Sequence, residues 1–225
     1  MIYLGFNVYN EGLTLYEAIS KAKETFRDTE HQIIVLDGAY VDYPYKNNNP
    51  KSIDDTLAIA YELADTVIER EEPWEGEIEK RNEFFTFLKD GDYLLEIDGD
   101  EVMEGYFTGE FDFRPVFTDK PILTVTYPDY ASTWLQRDDY NPAQPYKIFR
   151  WFKYQAGMKF AGSHNSLFVN DIFINKGVWD NKFPTMCGVV ALHKTKTSPS
   201  RNQEKSVYCQ RLKEKERNFV AENCK

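Results

Sequence analysis

Cysteine is scarce: the chain of 225 residues holds three, Cys187, Cys209 and Cys224. Their number is odd and they share no C-x-x-C spacing, so neither a disulfide framework nor a zinc motif is indicated and free thiols are expected. Histidine is as scarce, with only His31, His164 and His193. Long apolar runs are missing too. No stretch approaches the ~18 residues that span a bilayer. The Met1–Phe6 start has neither the basic region nor the apolar stretch of a signal peptide. The expectation is a soluble, cytoplasmic chain with no integral membrane segment. No Gly/Ser linker or low-complexity tract divides the sequence, so a single domain over residues 1–225 is expected.

Basic charge is in deficit. Lys and Arg number 27 against 37 Asp and Glu, a net charge of −10, which argues against a partner held by neutralising a long nucleic-acid backbone. The imbalance is uneven. Residues 194–217 carry eight Lys or Arg and three Glu, so this segment is +5 and the remainder −15. What is abundant is aromatic surface, at 16% of residues and crowded between Tyr127 and Phe173, suited to a core or to stacking. A hydrophobic content of 42% with a mean hydropathy of −0.59 fits neither a disordered nor a membrane protein.

The first hundred residues alternate strand-like and helix-like patterns at about the length of a βα unit. Ile2 to Val8 is an apolar run ending at Asn10-Glu11-Gly12, after which Leu15, Ala18, Ile19, Ala22 and Phe26 fall at helical spacing. Gln32 to Leu36 reads as a second strand closed by Asp37-Gly38. Ser52 with Asp55 three residues on reads as a capping box ahead of a helix through Ala64. Thr66 to Glu69 is a third strand, Glu77 to Leu88 a helix, and Tyr93 to Ile97 a fourth strand ending in Asp98-Gly99-Asp100-Glu101. Beyond Val102 the alternation stops. Ile122 to Tyr127, Tyr146 to Phe152, Met158 to Ala161 and Ser166 to Val169 read as added strands between turns, and Ser200 to Glu222 as a charged terminal helix. The fold class is therefore α/β, a Rossmann-like mostly parallel sheet flanked by helices, with C-terminal strands and a last helix added.

Open α/β sheets bind ligands outside the carboxyl ends of their strands. The sharpest polar groups fall there: Asn10 and Glu11 after the first strand, Asp37 after the second, Asp98 and Asp100 after the fourth. Asp98-Gly99-Asp100 offers two carboxylates to a hard cation, Mn²⁺ or Mg²⁺, of the kind that bridges to substrate phosphates. Lys194, Lys196 and Arg201 follow His193 closely and offer positive charge to an anionic group. Tyr130, Trp134 and Trp151 offer aromatic surfaces for stacking as well as for packing.

The set resembles the family 2 glycosyltransferases with the GT-A fold. The matching stretches are Phe6 to Glu11, Ile34 to Ala39 with Asp42, Glu79 to Asn82 ahead of Lys89 to Tyr93, and Ile97 to Glu101. They run in the family's order over residues 1 to about 105. The resemblance implies a nucleotide-sugar-binding half over 1–105 and an acceptor-side half with the C-terminal helix over 106–225. Asn10, Glu11 and Asp37 would line the nucleotide pocket, with Arg81 and Asn82 near the sugar or phosphates. Asp98 would lie near the ribose, the sugar and the metal, and Asp100 on the metal. Lys147 to Phe152 with Met158 to Phe160 and Gly162-Ser163-His164 resembles the hairpin of bacterial sugar transferases. Ala191-Leu192-His193 with Arg201 and Tyr208 is similar to their late strand and helix, where a histidine joins the metal shell.

Two departures stand out: Leu-Asp-Gly-Ala replaces the commoner Asp-Asp-Gly-Ser at Asp37, and no acidic motif marks the general base. His164, Asp138 and Asp139 are the candidates for that base, His164 narrowly preferred. The implied activity is a metal-dependent transfer, with inversion, from a UDP- or GDP-linked sugar to a glycan, lipid-linked or protein acceptor. Two other readings compete: a non-catalytic nucleotide-sugar-binding or interaction module, and a haloacid-dehalogenase-like phosphatase in which Asp98 is the nucleophile.

Overall fold

The computed structural model describes residues 1–41, 49–112, 124–137, 146–174 and 183–194. The alternating first half forms as its pattern predicts. β1 (Ile2–Val8) is apolar on both faces and lies between β2 (His31–Asp37) and β4 (Tyr93–Asp98), parallel to each; β3 (Thr66–Ile68) pairs with β2. A strand with neighbours on both sides and layers above and below has no face to give to water, which accounts for its near-continuous apolar run. α1 (Leu15–Thr25) buries Leu15, Ala18, Ile19 and Ala22 along one stripe against Leu4, Phe6 and Val8. α2 (Thr56–Leu63) adds Ala60 to the same core.

Two helix boundaries differ from the sequence pattern. α2 starts at Thr56 rather than near Ser52, and its first-turn flank Asp55 makes no side-chain capping bond. Ser52 is drawn instead to a buried carboxylate on β2. α3 (Glu77–Glu83) stops short of Leu88, and a 3-10 turn over Phe84–Thr86 carries Phe84 and Phe85 into the core on the other side of the sheet.

The second half extends the same sheet. The chain adds β5 (Glu101–Gly105), β6 (Glu110–Asp112), β7 (Thr124–Thr126), β8 (Tyr130–Arg137), β9 (Tyr146–Lys153) and β13 (Thr185–His193), giving the order β3-β2-β1-β4-β9-β8-β13-β6-β7 with β5 also on β13. A separate small sheet is made of β10 (Met158–Ala161), β11 (Ser163–Val169) and β12 (Ile172–Phe173). Among the described residues the large sheet has four parallel and five antiparallel pairings; the expectation of a mostly parallel sheet holds for β3-β2-β1-β4, and beyond that block β8 and β13 make the one other parallel pair. Flanking by helices is also only partial. α1 and α2 cover one face, whereas on the other α3 packs against β10 and β11.

Among the described residues, many of the aromatic side chains are core. Trp151 is fully buried, 5.0 Å from Tyr93 and 5.2 Å from Phe111 between ring centres, which removes it as a stacking surface for a sugar. Where β5 crosses β13, Gly105 has φ +112° and a Cβ on it would lie 1.9 Å from the Gly188 oxygen. Only glycine permits that approach of β5 to β13. Among the described residues no helix is long and apolar enough to cross a membrane.

Candidate functional site

Parallel register aligns the strand ends. Val8 lies beside Asp37, and Asn7 beside Asp98, so β1, β2 and β4 open on one edge of the sheet. The loop leaving β1 is tied down by the segment ahead of α2. Asn10, with φ 54°, donates its backbone N–H to Ser52 Oγ at 2.8 Å and accepts from Ile53 N at 2.9 Å through its side-chain oxygen. Glu11 N donates to Thr56 Oγ1 at 2.8 Å. Asp37 is fully buried and accepts from both the N–H and the hydroxyl of Ser52. Burial pushes the Asp37 carboxyl above its ordinary value, against the pull of Ser52 and Lys80.

Lys80 crosses this edge from below. Its side chain is fully buried and Nζ donates 2.7 Å bonds to the carbonyl oxygens of Val8 and Gly38, joining the ends of β1 and β2. The Tyr40 ring stands 5.4 Å from the same nitrogen. Burial draws the Lys80 amine down to about 7, although Asp37 and Glu77 oppose the shift.

Two arginines converge on the end of β4. Arg81 meets Glu77 Oε1 at 3.0 Å, Glu96 Oε2 at 3.2 Å and Asp98 Oδ1 at 3.2 Å. Arg150 from β9 grips both oxygens of Glu101 and reaches Asp98 Oδ2 at 3.0 Å. Burial works against both guanidinium charges, but the surrounding carboxylates outweigh it and hold them charged. Burial also raises Glu96 and Glu101 above the usual carboxylate range. Glu96 Oε1 is buried with no hydrogen-bond partner among the described residues.

Gly99 is required between the two aspartates, since a Cβ there would come 2.8 Å from Val8 Cγ1 and 3.0 Å from Glu11 Cγ. Asp100 then faces His193, Oδ2 to Nε2 3.3 Å, while its carbonyl accepts from Lys194 N at 2.8 Å. His193 Nδ1 is buried without a hydrogen-bond partner among the described residues. Lys194 Nζ lies 3.7 Å from Glu17 Oε1.

The structure thus gathers Asn10, Glu11, Asp37, Arg81, Asp98, Asp100, His193 and Lys194 along one end of the sheet. Asn82 departs from this group: its amide donates to Phe160 O at 3.0 Å and accepts from Phe160 N at 2.7 Å, fastening α3 to β10. Asp138, Asp139, Lys196, Arg201, Tyr208, the 200–222 helix and the side chain of His164 lie outside the described residues, as does Asp42. Lys80, Glu96, Glu101 and Arg150 were missed as site residues. Their signal was present, because charged residues inside apolar strand and helix patterns are rarely buried without partners.

The fit to a cation is limited. Among the described residues no group of three or more His, Cys, Asp and Glu side chains is placed to hold a metal ion. Asp100 and His193 alone present an oxygen and a nitrogen 3.3 Å apart. That is close to the roughly 3 Å between adjacent ligands in an octahedral shell with bonds of about 2.1 Å. A cation here would take two protein ligands and fill its shell from substrate and water, and the imidazole favours a transition metal such as Mn²⁺ over Mg²⁺, which keeps to oxygen.

No family model matches the chain, and no curated protein matches it. Among solved structures it is similar to S. aureus TarS, with 12% identity and a TM-score of 0.46 over 90% of this chain and 38% of that one. The 1–349 portion of TarS gives 11% identity and 0.41, over 87% of this chain and 58% of that one. The same portion in complex with UDP gives 13% and 0.44, over 90% and 62%. The chain spans less than two thirds of each of these structures, and every TM-score is below 0.5, so the functional reading rests on its own residues.

Proposed function

We propose that the chain is a nucleotide-sugar-dependent glycosyltransferase of the family 2, GT-A type, moving a sugar from a nucleoside diphosphate to an acceptor hydroxyl with inversion. The observation that carries this reading is the meeting of Asp100 and His193 beside the aligned ends of β1, β2 and β4. A nucleotide would lie across the strand ends, over the loop that Ser52 and Lys80 hold. Asp98, fixed by Arg81 and Arg150 and one-third exposed, would accept hydrogen bonds from donor hydroxyls. Lys194 would face the diphosphate as it departs. Mn²⁺ or Mg²⁺ on Asp100 and His193 would neutralise the diphosphate charge when bound. The general base remains among His164, Asp138 and Asp139, and a UDP- or GDP-linked donor with a glycan, lipid-linked or protein acceptor is the expected pair of substrates.

The phosphatase reading is disfavoured because both Asp98 oxygens accept from guanidinium groups, which stabilise the carboxylate and weaken it as a nucleophile. The test is a thermal-shift panel of UDP-, GDP-, CMP- and dTDP-sugars with and without Mn²⁺, followed by donor hydrolysis and transfer. Cation-dependent stabilisation by one nucleotide together with turnover supports the reading. Binding without turnover points to the module, and no response to any donor overturns both.

A further inference from the structure

We propose that Arg150 is a positioning residue that sets the direction of the Asp100 carboxylate, which it does not touch. Its functional meaning rests on the glycosyltransferase reading, whereas its geometry does not. The turn from β4 to β5 consists of Gly99 and Asp100, and Arg150 holds the residue on each side. Both Glu101 oxygens accept from its fork, one of them at 2.8 Å, and Asp98 Oδ2 accepts at 3.0 Å. The Glu96 carbonyl, further back on β4, takes a longer bond of 3.4 Å from Nη1. The turn closes on itself as well, Asp98 N donating to Glu101 Oε2 at 3.2 Å.

On its far side the turn is held by β13. Glu101 stands opposite His193 in the antiparallel register of β5 and β13, and Lys194 N donates to Asp100 O. Arg150 therefore holds the turn from β9 while β13 holds it from the other flank, and from this turn Asp100 meets His193. The guanidinium and the Glu101 side chain are almost wholly buried, 8% and 1% exposed, so water does not compete for these bonds. A lysine at this position supplies one charged point rather than a planar fork and cannot hold Glu101 and Asp98 together.

The experiment reads the His193 imidazole ¹⁵N signals, assigned with His193→Gln, in the protein without added metal, and then titrates Mn²⁺ alone by electron paramagnetic resonance. Asp100→Asn defines where the His193 signals go when the partner carboxylate is lost. Arg150→Lys is expected to move them toward that position and to weaken Mn²⁺ binding by about tenfold or more, as removal of supporting contacts does at metal sites. Glu101→Gln keeps the fork's volume and Arg150 itself, and is expected to give a smaller displacement in the same direction; it carries the test if Arg150→Lys does not fold. Leu88→Ala, a core truncation away from the turn, controls for lost stability and leaves the His193 signals in place. Signals in the Arg150 and Glu101 variants that stay where the Leu88 control leaves them overturn the proposal. Signals that move in a wild-type background showing no Mn²⁺ binding uphold the positioning role and remove the cation from the functional reading.

Discussion

Asp100 Oδ2 and His193 Nε2 stand 3.3 Å apart at the end of the sheet, brought together by the antiparallel register that sets His193 opposite Glu101. The contact joins the turn after a parallel strand to the end of the last described strand.

Asp100→Asn is expected to remove the Mn²⁺-dependent part of nucleotide-sugar stabilisation. The unliganded melting temperature should move by no more than about 4 °C, the shift of roughly 1 kcal/mol for a chain of this size. A thermal-shift titration with and without Mn²⁺ checks it. Full retention of the cation effect would exclude Asp100 as a ligand.

Lys80→Met takes away the donor to Val8 O and Gly38 O; Val8 O keeps its bond from Gly38 N at 3.2 Å, so the loss falls mainly on the Gly38 carbonyl, a cost of about 1–3 kcal/mol in urea unfolding near pH 9. The sign of the pH dependence follows from the lowered amine. The folded chain releases this proton near pH 7, whereas the unfolded chain keeps it to about 10.5, so the unfolded state binds more protons in between. Wild-type stability therefore gains with rising pH over that window and the variant lacks the gain. The gap between the two should be wider at pH 9 than at pH 6.

Ser52→Ala removes one of the two donors to Asp37 and the acceptor for Asn10 N. A loss of about 1–3 kcal/mol is expected. Burial already raises the Asp37 carboxyl, and losing the Ser52 hydroxyl raises it further. An acid whose folded value is raised costs stability as pH climbs from its unfolded value through the folded one. The deficit against wild type should therefore be smaller at pH 4 than at pH 7, which denaturation at the two pH values measures.

Gly99→Ala forces a methyl group against Val8 and Glu11. Overpacking of this kind costs about 1–3 kcal/mol. Because either the turn or the Val8 and Glu11 side chains beside it must shift, nucleotide binding should fall by more than the loss of stability alone accounts for. Isothermal titration at a temperature where the variant is fully folded separates the two effects.

The βα half was legible because its strands are buried on both faces and its helices on one stripe, so burial writes a period into the chain. β1 at Ile2–Val8 and the start of α1 at Leu15 stand where the apolar pattern put them. The strands after Val102 were harder to read. β8 carries Ser132, Thr133 and Gln136 among its apolar residues, and β5 and β6 are only a few residues long. Their pairing comes from neighbours distant in the chain, β13 above all. Ser52 shows the limit from the other side. Local chemistry made it a helix cap, and the buried carboxylate of Asp37 won it instead.

By itself the sequence determined the parallel block, the placing of Asp37, Asp98 and Asp100 at strand ends, and the candidates for cation and nucleotide, because these depend on residue type and short-range period. Only the tertiary structure decided the partners of those carboxylates. Arg81 and Arg150 come to Asp98 from α3 and β9, His193 comes to Asp100 from β13, and Lys80 reaches the main chain of two strands at once. A charged group buried in a protein needs a partner across space, and no spacing along the chain specifies which one the folded sheet will supply.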